Sequence, residues 1–402
     1  MKKGEKMRTS ISITVMVTAM LISTAGYLYG GQTTGVTDKN ITIGCLLDLT
    51  GPSSFIGRGA NTGAECYFKY LNDHGGINGR KIKYIAEDNK YQPATAVAGL
   101  KKLVYRDKIF ATCFSWGTVC ALATAKDVKK EKIPTIYMGN SEAIFNPFRR
   151  YFFSYFTTWY RQTFTVADYI VNNMKAKDLR FACIFQDDEA GKSGLRGFKK
   201  AAKLYGAEWV GEEHYKRGAL DFSSQVLKLK KAGANYVFMA TVTREAAGIL
   251  REARKLNWHP QFFASSASTD KKVIELAGEA GRGLMGSIFM VGWHEDIPAM
   301  EKVRKAIMKY HGSLKGMTEY TTLAWISGML ISEGLNKAGR NLTRDGLVDA
   351  LETIKDFDPD GLMPQITWGP KRREGGIGSR IVKLDLEKKI FVPVTGWKIP
   401  AY

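Results

Sequence analysis

The chain has 402 residues, 45% hydrophobic and 11% aromatic, with 59 Lys+Arg against 39 Asp+Glu for a formal charge of +20. That length and apolar content exclude a disordered or fibrous chain and allow two domains of ordinary size. The basic excess would suit nucleic acid, an anionic membrane surface or an acidic ligand. It is scattered, however, in runs such as "VKKEK" and "KLKKAG" that read as solvated helix faces, with no nucleic-acid motif beside them, so nucleic acid is not an expected partner.

At the N-terminus, "MKKGEKMR" precedes the mostly apolar run Ile11–Ile22, and the small residues Ser23–Ala25 follow. This is the order of a secretory signal over residues 1–25, with an uncleaved membrane anchor as the alternative. The run is short for a spanning helix. An exported protein, periplasmic or at the cell surface, is expected. Residues 26–39 read as a linker. Of the five cysteines, Cys45, Cys113 and Cys183 sit in apolar strand-like runs and read as buried small hydrophobes. If one disulfide forms, Cys113 and Cys120 are the candidates.

From residue 40, strands and helices alternate. Strands are expected at Ile41–Leu47, Lys81–Glu87, Ile109–Ser115 and Pro134–Gly139, with helices near Gly57–Asn72, Ala94–Val104 and Val119–Lys130. A second set starts at Leu179, with strands in "LRFACIF", "GEEHYK", "NYVFMAT" and "QFFASS". Helices lie between them near Lys192–Tyr205, Phe222–Ala232 and Glu245–Leu256, the second N-capped by Asp221. Between the sets, "GNSEAIFNPFRRYFFSYFTTWYRQTF" has neither period and reads as a crossover. Another strand, Gly286–Trp293, and three helices near Ala299–Tyr310, Tyr320–Ala338 and Asp345–Ile354 precede a closing antiparallel pair, "IGSRIVKLDL" and "IFVPVTGWKI". The alternation predicts an α/β protein of two lobes with parallel sheets covered by helices on both faces.

The turn "LTGPSSFIGRGANTG" (Leu49–Gly63) stands between a strand and a helix, where phosphate cradles are built. It lacks the Walker spacing, and Gly57, Gly59 and Gly63 miss the dinucleotide pattern by one residue. "DDEAGKSG" has Gln186 where the first Walker glycine would stand. No cofactor and no metal are expected. The histidines are widely separated and no nucleophile elbow is present, so no reaction is demanded of the chain.

The strings "IGCLLDLTGPSSFIGRGANTGAECYFKYLNDHGGINGRKIKYIAEDN" and "DFSSQVLKLKKAGANYVFMATVTREAAGILREARKLNW" closely resemble periplasmic solute-binding proteins of ABC importers, in the branched-chain amino-acid (Leu/Ile/Val-binding) family. The resemblance covers roughly Asn40 to Trp397. It implies two Rossmann-like lobes of periplasmic-binding-protein type I, joined by three crossovers. Lobe 1 would hold 40–156 and 293–363, lobe 2 157–292 and 364–402. It implies hinge closure on a small carboxylate-bearing solute, which is then delivered to a membrane permease by a monomeric protein. A ligand-sensing domain of the same fold, regulating a receptor or cytoplasmic partner, is the alternative.

The same resemblance implies a ligand set. Phe55 and Ile56 of the first turn would cover the solute, unless that turn only packs the interface. Thr118, after Ser115, Trp116 and Gly117, and Ser141, after Gly139 and Asn140, fall where the family's hydroxyls hold a carboxylate, or else serve as N-caps. In the second lobe, Ser266 stands in place of an acid that holds an ammonium, and Val242, after Thr241, in place of an aromatic. Asp187 or Glu142 could supply the missing acid. Trp159 and Tyr160 would contact the solute or pack the crossover.

Overall fold

The computed structural model describes residues 33–399. The leader expected over residues 1–25 lies outside them, as does the first part of the expected linker. Residues 33–39 are part of the first lobe. Val36 is buried and bridges to Ile41, and Thr33 Oγ1 donates to Leu342 O at 2.7 Å. Among the described residues, no helix is long and apolar enough to cross a membrane.

The first sheet is all parallel, with strands β1 (Asn40–Leu47), β2 (Lys81–Asp88), β3 (Ala111–Trp116), β4 (Thr135–Met138) and β5 (Phe152–Ser154) in the order β2-β1-β3-β4-β5. β3 and β4 are buried on both faces, as a covered parallel strand must be. The covering helices are α1 (Ser54–Asp73), α2 (Pro93–Lys101, continued by a π-turn to Arg106) and α3 (Thr118–Glu131). α1 begins three residues before its expected start because its first turn sits directly on the preceding loop. A Cβ on Gly57 would collide with the Asp48 carbonyl.

β5 and the helix α4 (Trp159–Asp168) lie inside the stretch expected to be irregular. β5 is three buried residues, too short to show an alternation, while α4 keeps Tyr160, Arg161 and Asp168 partly exposed within an aromatic-rich stretch. The second sheet holds β6 (Arg180–Gln186), β7 (Glu208–Tyr215), β8 (Tyr236–Ala240), β9 (Gln261–Ala264), β10 (Met285–Ile288), β11 (Arg380–Asp385) and β12 (Ile390–Pro393). Its order is β12-β11-β10-β9-β8-β6-β7, parallel except for the closing antiparallel pairs β10/β11 and β11/β12. Its helices are α5 (Glu189–Leu204), α6 (Ser223–Lys231), α7 (Thr243–Lys255) and α8 (Lys271–Ala277). Phe222 holds the N-cap place of α6, one residue beyond the expected Asp221, whose Oδ1 accepts from Ser223 N at 2.9 Å.

The chain then returns to the first sheet with α9 (Pro298–His311), α10 (Glu319–Ala338) and α11 (Arg344–Leu351). α10 packs along α1. Residues 366–374 stay beside β5: Trp368 Nε1 and Gly375 N both donate to Ser154 O, and Glu374 bridges to Ser154. The third crossing therefore follows Glu374, later than the boundary after Met363 expected from the sequence. All five cysteines are free and buried, so the candidate pair Cys113 and Cys120 is not bonded.

Candidate functional site

Between the two sheets, at the carboxyl ends of their strands, lies a cavity of about 890 Å³. Open α/β sheets bind ligands at this edge, because the loops leaving the strands converge there and helix N-termini face it. The first lobe contributes the loop and helix start Pro52–Ile56, Tyr91, Trp116 and the segment Leu314–Glu319. The second contributes Gln186, Arg217, Val242–Glu245, Thr269–Leu276 and the β11–β12 hairpin.

The first wall is built around Asp48. Its fully buried carboxylate accepts from Gly51 N (2.6 Å), Ser53 N (2.7 Å) and Ser53 Oγ (2.7 Å), which curls the loop after β1 and points Phe55 and Ile56 at the cleft. Ser53 Oγ also accepts from Trp116 Nε1 at 3.0 Å and so fixes the indole. Asn89 ties the next two loops together by accepting from Tyr91 N (2.8 Å) and donating to Trp116 O (3.0 Å). Tyr91 and Trp116 consequently lie nearly parallel, with ring centres 6.1 Å apart, and Tyr320 meets Trp116 edge-on at 5.6 Å. Gly117, at φ +101°, keeps the turn against the Tyr91 ring, where any Cβ would clash.

The opposite wall carries the charge. Asp270 caps α8 through Val273 N (3.0 Å) and accepts from Thr243 Oγ1 (2.5 Å). Burial nevertheless pushes its pKa up. Glu245 accepts from Gly218 N at 3.3 Å. From the first lobe, Glu319 accepts from Trp293 N at 3.3 Å, and burial pushes its pKa up to about 7. Arg217 pairs with Asp188 at 2.6 Å and stacks on Tyr91. Asp188 also accepts from Gln186 Nε2 at 2.5 Å, which leaves the buried Gln186 Oε1 without a protein partner. The mouth is rimmed by the exposed cations Arg244, Lys271, Lys272, Lys315 and Lys389. Among the described residues, no cluster of His, Cys, Asp or Glu could hold a metal ion.

Of the expected ligand residues, Phe55, Ile56, Trp116 and Val242 line this cavity, and Ser266 lines a small neighbouring void with Asp270 and Glu319. The other expected residues do not line it. Thr118 Oγ1 accepts from Asn140 N (3.2 Å), and Ser141 Oγ caps Ala143 N (3.1 Å). Gly139 is pressed against Ile144, and Ser115 is wholly buried. Thr241 Oγ1 pairs with Ser268, and Asp187 is an exposed partner of Lys192 at 2.9 Å. Trp159 belongs to the second lobe's core, and Tyr160 is half-buried beside Phe164 with Lys200 over its ring. The Ser266 amide and hydroxyl are held by Gln162 at 3.0 Å.

Among the lining residues that sequence reasoning does not reach are Tyr91, Gln186, Arg217, Glu245, Asp270 and Glu319. Asp270 carries a signal, since it stands as the N-cap at the head of "DKKVIELA". It supplies an acid four residues beyond Ser266. Glu319 and Tyr91 lie on segments with no marker of a cleft.

Residues 40–388 match the family described as periplasmic binding protein. The Leu/Ile/Val-binding protein of Escherichia coli K12 is 26% identical over 337 residues, 83% of this chain and 88% of that one. An amino acid binding protein of Pseudomonas aeruginosa is 26% identical over 340 residues, 83% and 87% of the two chains. In fold, the chain is similar to a fatty acid ABC transporter substrate-binding protein from Thermomonospora curvata, with TM-score 0.81 and 24% identity over 92% of this chain and 94% of that one. It is similar also to a branched chain amino acid ABC transporter from Thermus thermophilus with bound valine, with TM-score 0.82 and 22% identity over 91% and 98%. Two α/β sheets facing each other across a cleft, on a chain matched over most of its length, lead to one conclusion: the protein belongs to the periplasmic binding protein family.

Proposed function

We propose that the protein is an exported substrate-binding component of an ABC importer, which captures a small organic solute between its lobes and hands it to a membrane permease. The observation that carries this reading is the cavity of about 890 Å³ between the lobes, walled by Phe55, Ile56, Tyr91 and Trp116. Its size is that of small-molecule sites, which run from about 300 to 1,000 Å³ with mostly apolar walls and few polar groups. The solute is an acid or amide with an aliphatic or aromatic body, or an amino acid. Its body lies on the aromatic wall. Its polar group meets the side chains around Arg217 and Gln186, or an ammonium meets Asp270. An α-amino acid is better supported by these acids than by Ser266 alone, because a buried ammonium needs a carboxylate partner.

The test is a thermal-shift panel on the purified chain with leucine, valine, octanoate, phenylacetate and the two corresponding amides. A true ligand at a hundredfold excess over its Kd stabilises by about 2.7 kcal/mol. Absence of any shift across the panel, with a folded protein, would remove the proposal for these solute classes.

A further inference from the structure

β6 and β7 are parallel neighbours, and their last residues, Gln186 and Tyr215, are partners in register. Such partners send their side chains to the same face of the sheet, here at the carboxyl edge that meets the cavity. Both residues are 2% exposed. Gln186 Oε1 and the Tyr215 hydroxyl each lack a hydrogen-bond partner among the described residues. The Gln186 amide cannot turn over to mend this. Its Nε2 donates to Asp188 Oδ2, which also takes Arg217 Nη2 at 2.6 Å, and a carboxylate only accepts, so Oε1 must point elsewhere. The Tyr215 hydroxyl lies in the field of Glu245, Asp188 and Arg217, and burial keeps it protonated, with a proton to give. The Val242 amide is near it without completing a bond. Gln186, Arg217, Val242 and Glu245 all line the main cavity.

We propose that Gln186 and Tyr215 form a polar subsite for a neutral group that donates one hydrogen bond and accepts another, a primary amide above all. The solute's N–H meets Gln186 Oε1, and its carbonyl oxygen takes the Tyr215 proton. A carboxylate satisfies only the second contact, because it has no proton for Gln186, and an ammonium only the first, because it has no lone pair for Tyr215. Leaving either buried atom unpaired costs free energy, so the solute that pairs both is selected. Arg217 offers an acid no free cation, since Asp188 already pairs with it and Glu245 adds a second negative charge beside Tyr215. Lys192 is taken by Asp187 at 2.9 Å. Both orphan atoms are closed to water with the lobes as they stand, so the solute group reaches them while the lobes are apart. The assignment rests on the solute-binding reading and narrows it to amides at this end of the cavity.

The experiment compares wild type with Tyr215→Phe and Gln186→Met, using the full chain. Calorimetric titration with octanoate, octanamide, phenylacetate and phenylacetamide reads selectivity, and thermal melts without solute read stability. Wild type should bind each amide about tenfold more tightly than its acid, the equivalent of 1.4 kcal/mol, and each substitution should bring the two close to parity. The melts separate this from a structural role. Removing an unpaired buried hydroxyl should leave solute-free Tyr215→Phe at least as stable as wild type, whereas a hydroxyl that holds the fold would lower the melting temperature when lost. Gln186→Met also loses the bond to Asp188, so Tyr215→Phe repeats the selectivity measurement in a protein that keeps it. An acid bound by wild type as tightly as its amide, or a ratio unchanged in both variants, would overturn the assignment while leaving solute capture intact. Binding of leucine or valine with no response to either amide would overturn it too, again with capture intact. Binding of none of these solutes would instead remove the reading on which it rests.

Discussion

The guanidinium of Arg217 lies 4.1 Å from the ring centre of Tyr91, so the loop after β7 in one lobe rests on the loop after β2 in the other. Asp188 holds Arg217 from the far side at 2.6 Å. The stack can form only when the lobes approach, and it borders the cavity. Tyr91→Leu keeps an apolar body but loses the ring face. A contact of this kind contributes about 1 kcal/mol, so solute affinity measured calorimetrically should fall about fivefold, with little change in melting temperature.

Trp116 reports on the first wall. It is almost fully buried, and its Nε1 bonds Ser53. Trp116→Phe retains most of the apolar surface but leaves Ser53 Oγ without that donor. A stability loss of about 1 kcal/mol is expected from the hydrogen bond, read in a urea melt. Affinity for an apolar-bodied solute should weaken as well. Unaltered affinity would show that the indole does not touch the solute.

Glu319 makes stability depend on pH. Burial raises its pKa from 4.5 to about 7. Between those values the folded state holds a proton that the unfolded chain has released, so stability falls as pH rises through this window. Glu319→Gln cannot ionise. Its melting temperature, relative to wild type, should climb from pH 4.5 to 7 and level off above. A constant difference across that range would place the titration elsewhere.

Ser141 and Thr118 separate stability from binding. Ser141 caps Ala143 N and donates to Glu189, while Thr118 accepts from Asn140 N. Ser141→Ala should therefore cost about 1 kcal/mol of stability. Neither change should remove a direct contact with a solute in the main cavity. A large affinity loss without a stability loss would restore these hydroxyls to the ligand, as the family resemblance implied.

The fold was legible because burial leaves a period wherever an element has one wet face. α1, α5 and α7 mix polar and apolar residues along their length, and their bounds lie within a few residues of expectation. β1 stood out as an apolar β-branched run. β5 is not legible because its three residues are all buried, and α8 because seven residues give barely two turns of pattern.

The site divides in the same way. By itself, the sequence determined that loops leaving parallel strands would face a cleft, and its resemblance to the family pointed to Phe55, Ile56, Trp116 and Val242, which line it. Only the tertiary structure decided which way hydroxyls and charges point. Thr118 and Ser141 carry the right groups, yet each spends them on neighbours, because a buried hydroxyl bonds whatever partner packing brings within 3 Å or so. Asp270 and Glu319 lie 49 positions apart in sequence and come from opposite lobes, but they border the same void. Nothing local encodes that meeting, which depends on how far the lobes close.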